Sequence, residues 1–79
     1  MAVLVVDDSD FLRKMAVNCL KNIGVTEIIQ AEDGDEALEI IEEQWQDISI
    51  VWLDWNMPGK NGGEVLKEIR ERNEWEDIK

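Results

Sequence analysis

Three aspartates carry the strongest chemical signal in this 79-residue chain: the adjacent pair Asp7-Asp8 and, much further on, Asp54. Each follows an apolar run, Ala2 to Val6 before the pair and Ile48 to Leu53 before Asp54. Carboxylates brought close together repel one another, and the repulsion is relieved when one takes up a proton or when a divalent cation binds. The chain has no histidine and a single cysteine, Cys19, so the usual general base and the usual zinc ligands are missing. A cation held by oxygen alone would be Mg²⁺, with Mn²⁺ or Ca²⁺ as competitors, and a backbone carbonyl in the loop after Asp54 is placed to add a ligand. The plainer use of each aspartate is to cap a helix or a turn. What sets the three apart is their shared position at strand ends.

For Asp54 to stand beside Asp7 and Asp8, the two apolar runs must be neighbouring strands. Ala2 to Val6 is continuous and rich in β-branched residues, as in a strand buried on both faces. Ser9 is a good N-cap, and Phe11, Leu12, Met15, Ala16, Cys19, Leu20 and Ile23 form one helical stripe that ends at Gly24. The stripe predicts Met15 and Cys19 as core. Thr26 to Ala31 reads as a more polar edge strand. Asp33 and Glu36 resemble a capping box for a helix running to about Trp45, with Ala37, Leu38, Ile41 and Trp45 on its buried side. After the strand Ile48 to Leu53, Pro58-Gly59 and Gly62-Gly63 mark a loop. A third helix is predicted from about Glu64 to Arg72, with Val65, Leu66 and Ile69 inward. The tail from Asn73 to Lys79 has no periodicity, although Trp75 and Ile78 call for burial.

The order is therefore β-α-β-α-β-α, which implies an α/β fold: parallel strands, right-handed crossovers and helices on both faces of the sheet. Ligand sites in such sheets lie beyond the carboxyl ends of the strands, where the three aspartates stand.

Composition narrows the function classes. At 44% apolar and 34% charged residues the chain is globular, and its length allows one small domain. Nineteen acidic against eight basic residues, a net charge of −11, argues against nucleic-acid and anionic-membrane partners. A lone cysteine excludes an intrachain disulfide and fits a cytoplasmic setting. The opening apolar run is too short to span a membrane and lacks the basic flank of a signal peptide. Glu39, Glu42 and Glu43 read as a solvated helix face, and Trp45, Trp52 and Trp55 as core or site-rim packing.

Taken together, Val3-Leu4-Val5-Val6-Asp7-Asp8-Ser9, Ala31-Glu32-Asp33-Gly34 with Ala37-Leu38, and Leu53-Asp54-Trp55-Asn56-Met57-Pro58-Gly59 resemble a response-regulator receiver domain of the chemotaxis, CheY-like kind. The resemblance covers the whole chain. It implies a flavodoxin-like parallel sheet with strand order 2-1-3-4-5. It also implies two-component signalling, in which a histidine kinase donates a phosphoryl group to one aspartate with Mg²⁺ bound. Asp54 matches the phosphoacceptor, and Asp8 matches the acid that binds the metal directly. Asp7 matches its partner, which often acts through water, and Asn56 matches the residue whose backbone carbonyl joins the metal shell. Met57-Pro58-Gly59 would shape the loop beneath the site. The residues suit this chemistry, because a carboxylate attacking phosphorus needs its charge screened from the incoming phosphate. A module of this kind accepts a phosphoryl group and is not an enzyme.

The match stops after the third helix, so residues 1–79 are expected to be a single incomplete receiver domain from which the fourth strand onward is absent. The Ser or Thr and the Lys that bind the phosphoryl oxygens in the family have no counterpart; Thr26, Lys60 and Lys79 are not at matching positions. Asn61 stands where an acidic residue often precedes the glycine. In a 2-1-3 sheet the apolar third strand would be an open edge, and one face of the first and third strands would be partly uncovered. The expectation is completion by self-association through the third-strand edge, as a symmetric dimer or by exchange of an element. Other readings are an inactive folding or assembly fragment and, more remotely, a phosphatase of the haloacid-dehalogenase kind. The latter needs an acid where Asn56 stands and a Thr where Pro58 stands. A flavodoxin relative is opposed by Asp7-Asp8 in place of a phosphate-binding loop.

Overall fold

The apolar run Ala2–Val6 forms strand β1, and all five of its residues are buried. In the computed structural model, which describes residues 1–54, 61–72 and 75, it is followed by α1 (Asp10–Asn22), β2 (Ile28–Ala31), α2 (Gly34–Gln44), β3 (Ile48–Leu53) and α3 (Gly62–Glu71). The strands are parallel and ordered β2-β1-β3, so the first strand made is the central one. This is a flavodoxin-like arrangement with α1 on one face of the sheet and α2 and α3 on the other.

Register decides what reaches each face. Val6 pairs with Ala31 on one side and with Leu53 on the other, so the three strands end level. On β3, Ile48 pairs with Ala2 but Ile50 pairs with Val3, which leaves Ser49 as an inserted residue. Its hydroxyl donates to Ala2 O at 3.4 Å. The insertion turns Ile48 into the larger core with Leu4, Val6, Ala31, Ala37, Ile41, Val65, Ile69 and Trp75. The smaller core, beneath α1, holds Val3, Val5, Ala16, Val17 and Leu20.

Each helix starts on a side-chain cap, as orphan N–H groups require. Ser9 Oγ accepts from Leu12 N at 3.2 Å, and Asp33 Oδ1 accepts from Glu36 N at 2.8 Å. Glu36 reaches back, but to the N–H of Glu32, at 3.1 Å, one residue before the cap. After α1, Gly24 adopts φ 97°, a left-handed conformation open to glycine at no steric cost, and this releases the chain toward β2.

Several expectations need correction. The third helix begins at Gly62, not Glu64, because Asn61 Oδ1 accepts from Glu64 N at 3.0 Å and caps it there. The edge strand begins at Ile28, not Thr26. Met15 and Cys19 are exposed, as are Phe11, Leu12 and Ile23. The α1 stripe is wider than its contact with the sheet. Ala16, Leu20 and the unpredicted Val17 lie on the sheet side, while Phe11, Met15 and Cys19, at i, i+4 and i+8, share the other flank. Leu66 is likewise exposed, since Val65 and Ile69 already fill the contact arc of α3. β1 is covered on both faces; the uncovered residues are Ile50 and Trp52 of β3.

Trp75 is buried, and Arg72 holds it there. The guanidinium lies 4.3 Å from the indole centroid and also bonds Glu42 Oε1 at 2.7 Å, tying the end of α3 to α2. Ile78 lies outside the described residues. Among the described residues no helix is long and apolar enough to cross a membrane.

Candidate metal centre

Because the strands end level, the residues after Val6 and Leu53 emerge at one edge of the sheet. Asp54 N donates to Val6 O at 2.9 Å and Asp7 N to Ala31 O at 3.1 Å, which extends both ladders one residue into the site. One carboxylate oxygen from each of Asp7, Asp8 and Asp54 lies within 4.8 Å of the others. Asp7 and Asp54 are half-buried and Asp8 is exposed, so the cluster is open to solvent on one side.

The donor set fits a hard divalent cation. Three oxygens from carboxylates and an open side suit Mg²⁺, which keeps several waters and accepts one or two carboxylates readily. Asp7 combines this with the plainer role, since its Oδ1 accepts from Ser9 N at 3.0 Å and shapes the turn into α1. Of the residues matched by resemblance, Asn56 lies outside the described residues, as do Trp55, Met57, Pro58, Gly59 and Lys60.

Two features adjoin the cluster. Trp52 stands with Leu12, Met15, Ala16 and Cys19 along an apolar groove that reaches Asp7. This agrees with the site-rim alternative for Trp52. The other neighbour is Arg13, which the sequence reading passed over. Its Nη1 donates to Asp7 O at 2.8 Å, its Nε to Gln30 Oε1 at 3.1 Å, and its Nη2 to Asp10 Oδ1. The signal available was positional: an arginine four residues after the cap Ser9 sits one turn above it, over the loop that holds the aspartates.

Comparison with known proteins agrees with this architecture. Residues 3–78 match the family described as the response regulator receiver domain. The chain is 37% identical over 78 residues to the chemotaxis protein CheY homolog of Campylobacter jejuni, covering 99% of this chain and 59% of that protein. It is equally 37% identical to chemotaxis protein CheY1 of Helicobacter pylori, covering 99% of this chain and 62% of that one. The chain thus spans about 60% of the length of these curated relatives.

Among solved structures, the CheX-CheY-BeF3-Mg complex from Borrelia burgdorferi matches with a TM-score of 0.84 at 37% identity, covering 90% of this chain and 53% of that one. The receiver domain of the histidine kinase CKI1 from Arabidopsis thaliana, complexed with Mg²⁺ and BeF3⁻, matches with a TM-score of 0.83 at 34% identity, covering 89% and 54%. With the level strand ends, the acidic triad and these likenesses together, the chain belongs to the response regulator receiver family, as a CheY-like module of two-component signalling.

Proposed function

We propose that Asp54 is the phosphoacceptor and that Asp7, Asp8, Asp54 and the backbone carbonyl of Asn56 hold the Mg²⁺ on which transfer depends, with Mn²⁺ as a substitute. The convergence of three carboxylates at the carboxyl ends of β1 and β3 carries this reading. Receiver structures that hold Mg²⁺ and BeF3⁻ support it by likeness. The cation, when bound, neutralises charge that develops in phosphoryl transfer. A carboxylate oxygen of Asp54 attacks phosphorus, the new O–P bond forms as the donor's P–N bond breaks, and the donor imidazole leaves with the electron pair. The donor is a histidine kinase, and the product is an acyl phosphate, which is labile and makes the signal reversible. The setting is cytoplasmic. The chain acts as the first three βα units of a receiver and is a signalling module, not an enzyme. Incubation with Mg²⁺ and a small acyl-phosphate donor should add one phosphoryl group by intact mass. Absence of the adduct from the folded chain would overturn the reading.

A second reading concerns the open side of β3. Its outer edge pairs with no strand among the described residues, and Ile50 and Trp52 are 45% and 43% exposed on one face. We propose that two copies of the chain associate through this edge. Sedimentation at micromolar concentration is expected to show a dimer that Ile50→Lys converts to monomer. A compact, folded monomer for the unaltered chain would sink the idea.

A further inference from the structure

From the bonds of its guanidinium we infer that Arg13 is a positioning residue for the cation site, setting the direction from which Asp7 and Asp8 present their carboxylates. The inference rests on the metal-dependent reading above and adds a residue to it.

The side chain of Arg13 is only 12% exposed, although it is a cation in a chain of net charge −11. Its planar fork reaches three separate pieces of structure: the carbonyl of Asp7 in the β1–α1 turn, the side chain of Asp10 in the first turn of α1, and Gln30 in β2. A lysine, a point charge with freely rotating donors, cannot reproduce this set. The bond to Asp7 O is the informative one. That carbonyl belongs to the peptide joining Asp7 to Asp8, so holding it fixes the plane from which both side chains leave the backbone.

The remaining polar groups of Asp7 are fixed as well. Its N–H is bound to Ala31 O, and one carboxylate oxygen is bound to Ser9 N. Arg13 is the only one of these anchors contributed by a side chain from outside the turn, and through Gln30 it refers the turn to the sheet edge. This is how outer partners of a metal site act: they orient the ligands without touching the ion.

The sign of the effect separates this role from its rivals. An arginine beside the triad that acted only through its charge would repel a divalent cation, and its removal would tighten binding. A positioning arginine does the reverse. Mg²⁺ affinity, read from the fluorescence of Trp52 and its companions, is expected to fall about 10- to 100-fold in Arg13→Ala, as for other outer-shell losses. Arg13→Lys, which keeps the charge, should fall with it. Gln30→Ala, which leaves the Asp7 bond in place, should change affinity much less. Tighter binding in Arg13→Ala, or unchanged binding with a lowered melting temperature, would overturn the inference.

A metal-free measurement keeps the inference separate from the reading beneath it. If the unaltered chain binds no Mg²⁺, the phosphoacceptor reading fails by itself. Arg13 is then judged by the amide resonance of Asp8, which lies in the peptide whose carbonyl Arg13 holds. That resonance is expected to shift in Arg13→Lys while those of Leu4 and Val5 stay in place. An unmoved Asp8 resonance in a folded variant would remove the positioning role.

Discussion

Asp54→Asn is expected to abolish phosphoryl incorporation and to raise the melting temperature of the metal-free protein. The first effect follows from chemistry, since an amide oxygen is no substitute for the carboxylate nucleophile. The second follows from the geometry of the triad, whose oxygens lie within 4.8 Å of one another. At that separation two unit charges repel by about 3 kcal/mol at an effective dielectric constant near 20. Exposure of Asp8 and ordinary salt reduce this, leaving a net gain on the order of 1 kcal/mol when one charge is removed. For a domain of this size that corresponds to about 4–8 °C. Intact mass after treatment with a small acyl phosphate, and thermal melts in chelator, measure the two effects on one preparation. A melting temperature that falls in Asp54→Asn would show that the triad is not under electrostatic strain. An adduct that survives the substitution would move the phosphoacceptor elsewhere.

Leu4→Ala is expected to remove a large share of the stability of the chain. Leu4 is fully buried at the middle of β1, in the core beneath α2 and α3. Cutting a leucine back to alanine at such a place costs about 2–5 kcal/mol, because the lost burial is joined by the cavity left behind. At roughly 0.05–0.15 kcal/mol per residue, a chain of 79 residues has about 4–12 kcal/mol in all. Leu12→Ala makes the control: Leu12 is 49% exposed, and its loss should stay within about 0.5 kcal/mol. Urea titrations of the two variants should differ strongly in midpoint. Similar midpoints would mean that the flank of α1 bearing Leu12 is covered in solution, as the proposed association through β3 would bring about.

How much of this was legible depended on the kind of signal. Ala2 to Val6 could be read as a strand buried on both faces because the run has no polar residue to turn outward. Ser9 and Asp33 could be read as caps because hydroxyl and carboxylate oxygens satisfy N–H groups within three residues, a purely local matter. The meeting of Asp54 with Asp7 and Asp8 needed parallel strands and also β1 and β3 as neighbours, and the level strand ends are what make it close. The misses came where local pattern does not decide. Met15 and Cys19 share a stripe with Ala16 and Leu20, and periodicity does not say which part of a broad apolar arc meets the sheet. Gly62-Gly63 read as loop because glycine disfavours helix, but the cap at Asn61 overrides that preference. Arg13 drew no reading, because its position after Ser9 places it over the turn but does not reveal that its fork also reaches β2.

The central place of β1 also sets an order of events. During synthesis β1 emerges before either of the strands that flank it, and each neighbour is parallel, so it must return across a helix before pairing. Val6 finds Ala31 only after α1 has been made, and Leu53 only after α2 has followed. The first six residues, the most apolar stretch of the chain, therefore wait unpaired while the rest is translated, and loop closure has to be met before these distant contacts repay it. The carboxylates that immediately follow them, Asp7, Asp8 and Asp10, keep a charged flank beside that stretch throughout the interval. The acidic turn that gathers the triad in the finished fold is thus also the charged flank of the most apolar stretch of the nascent chain.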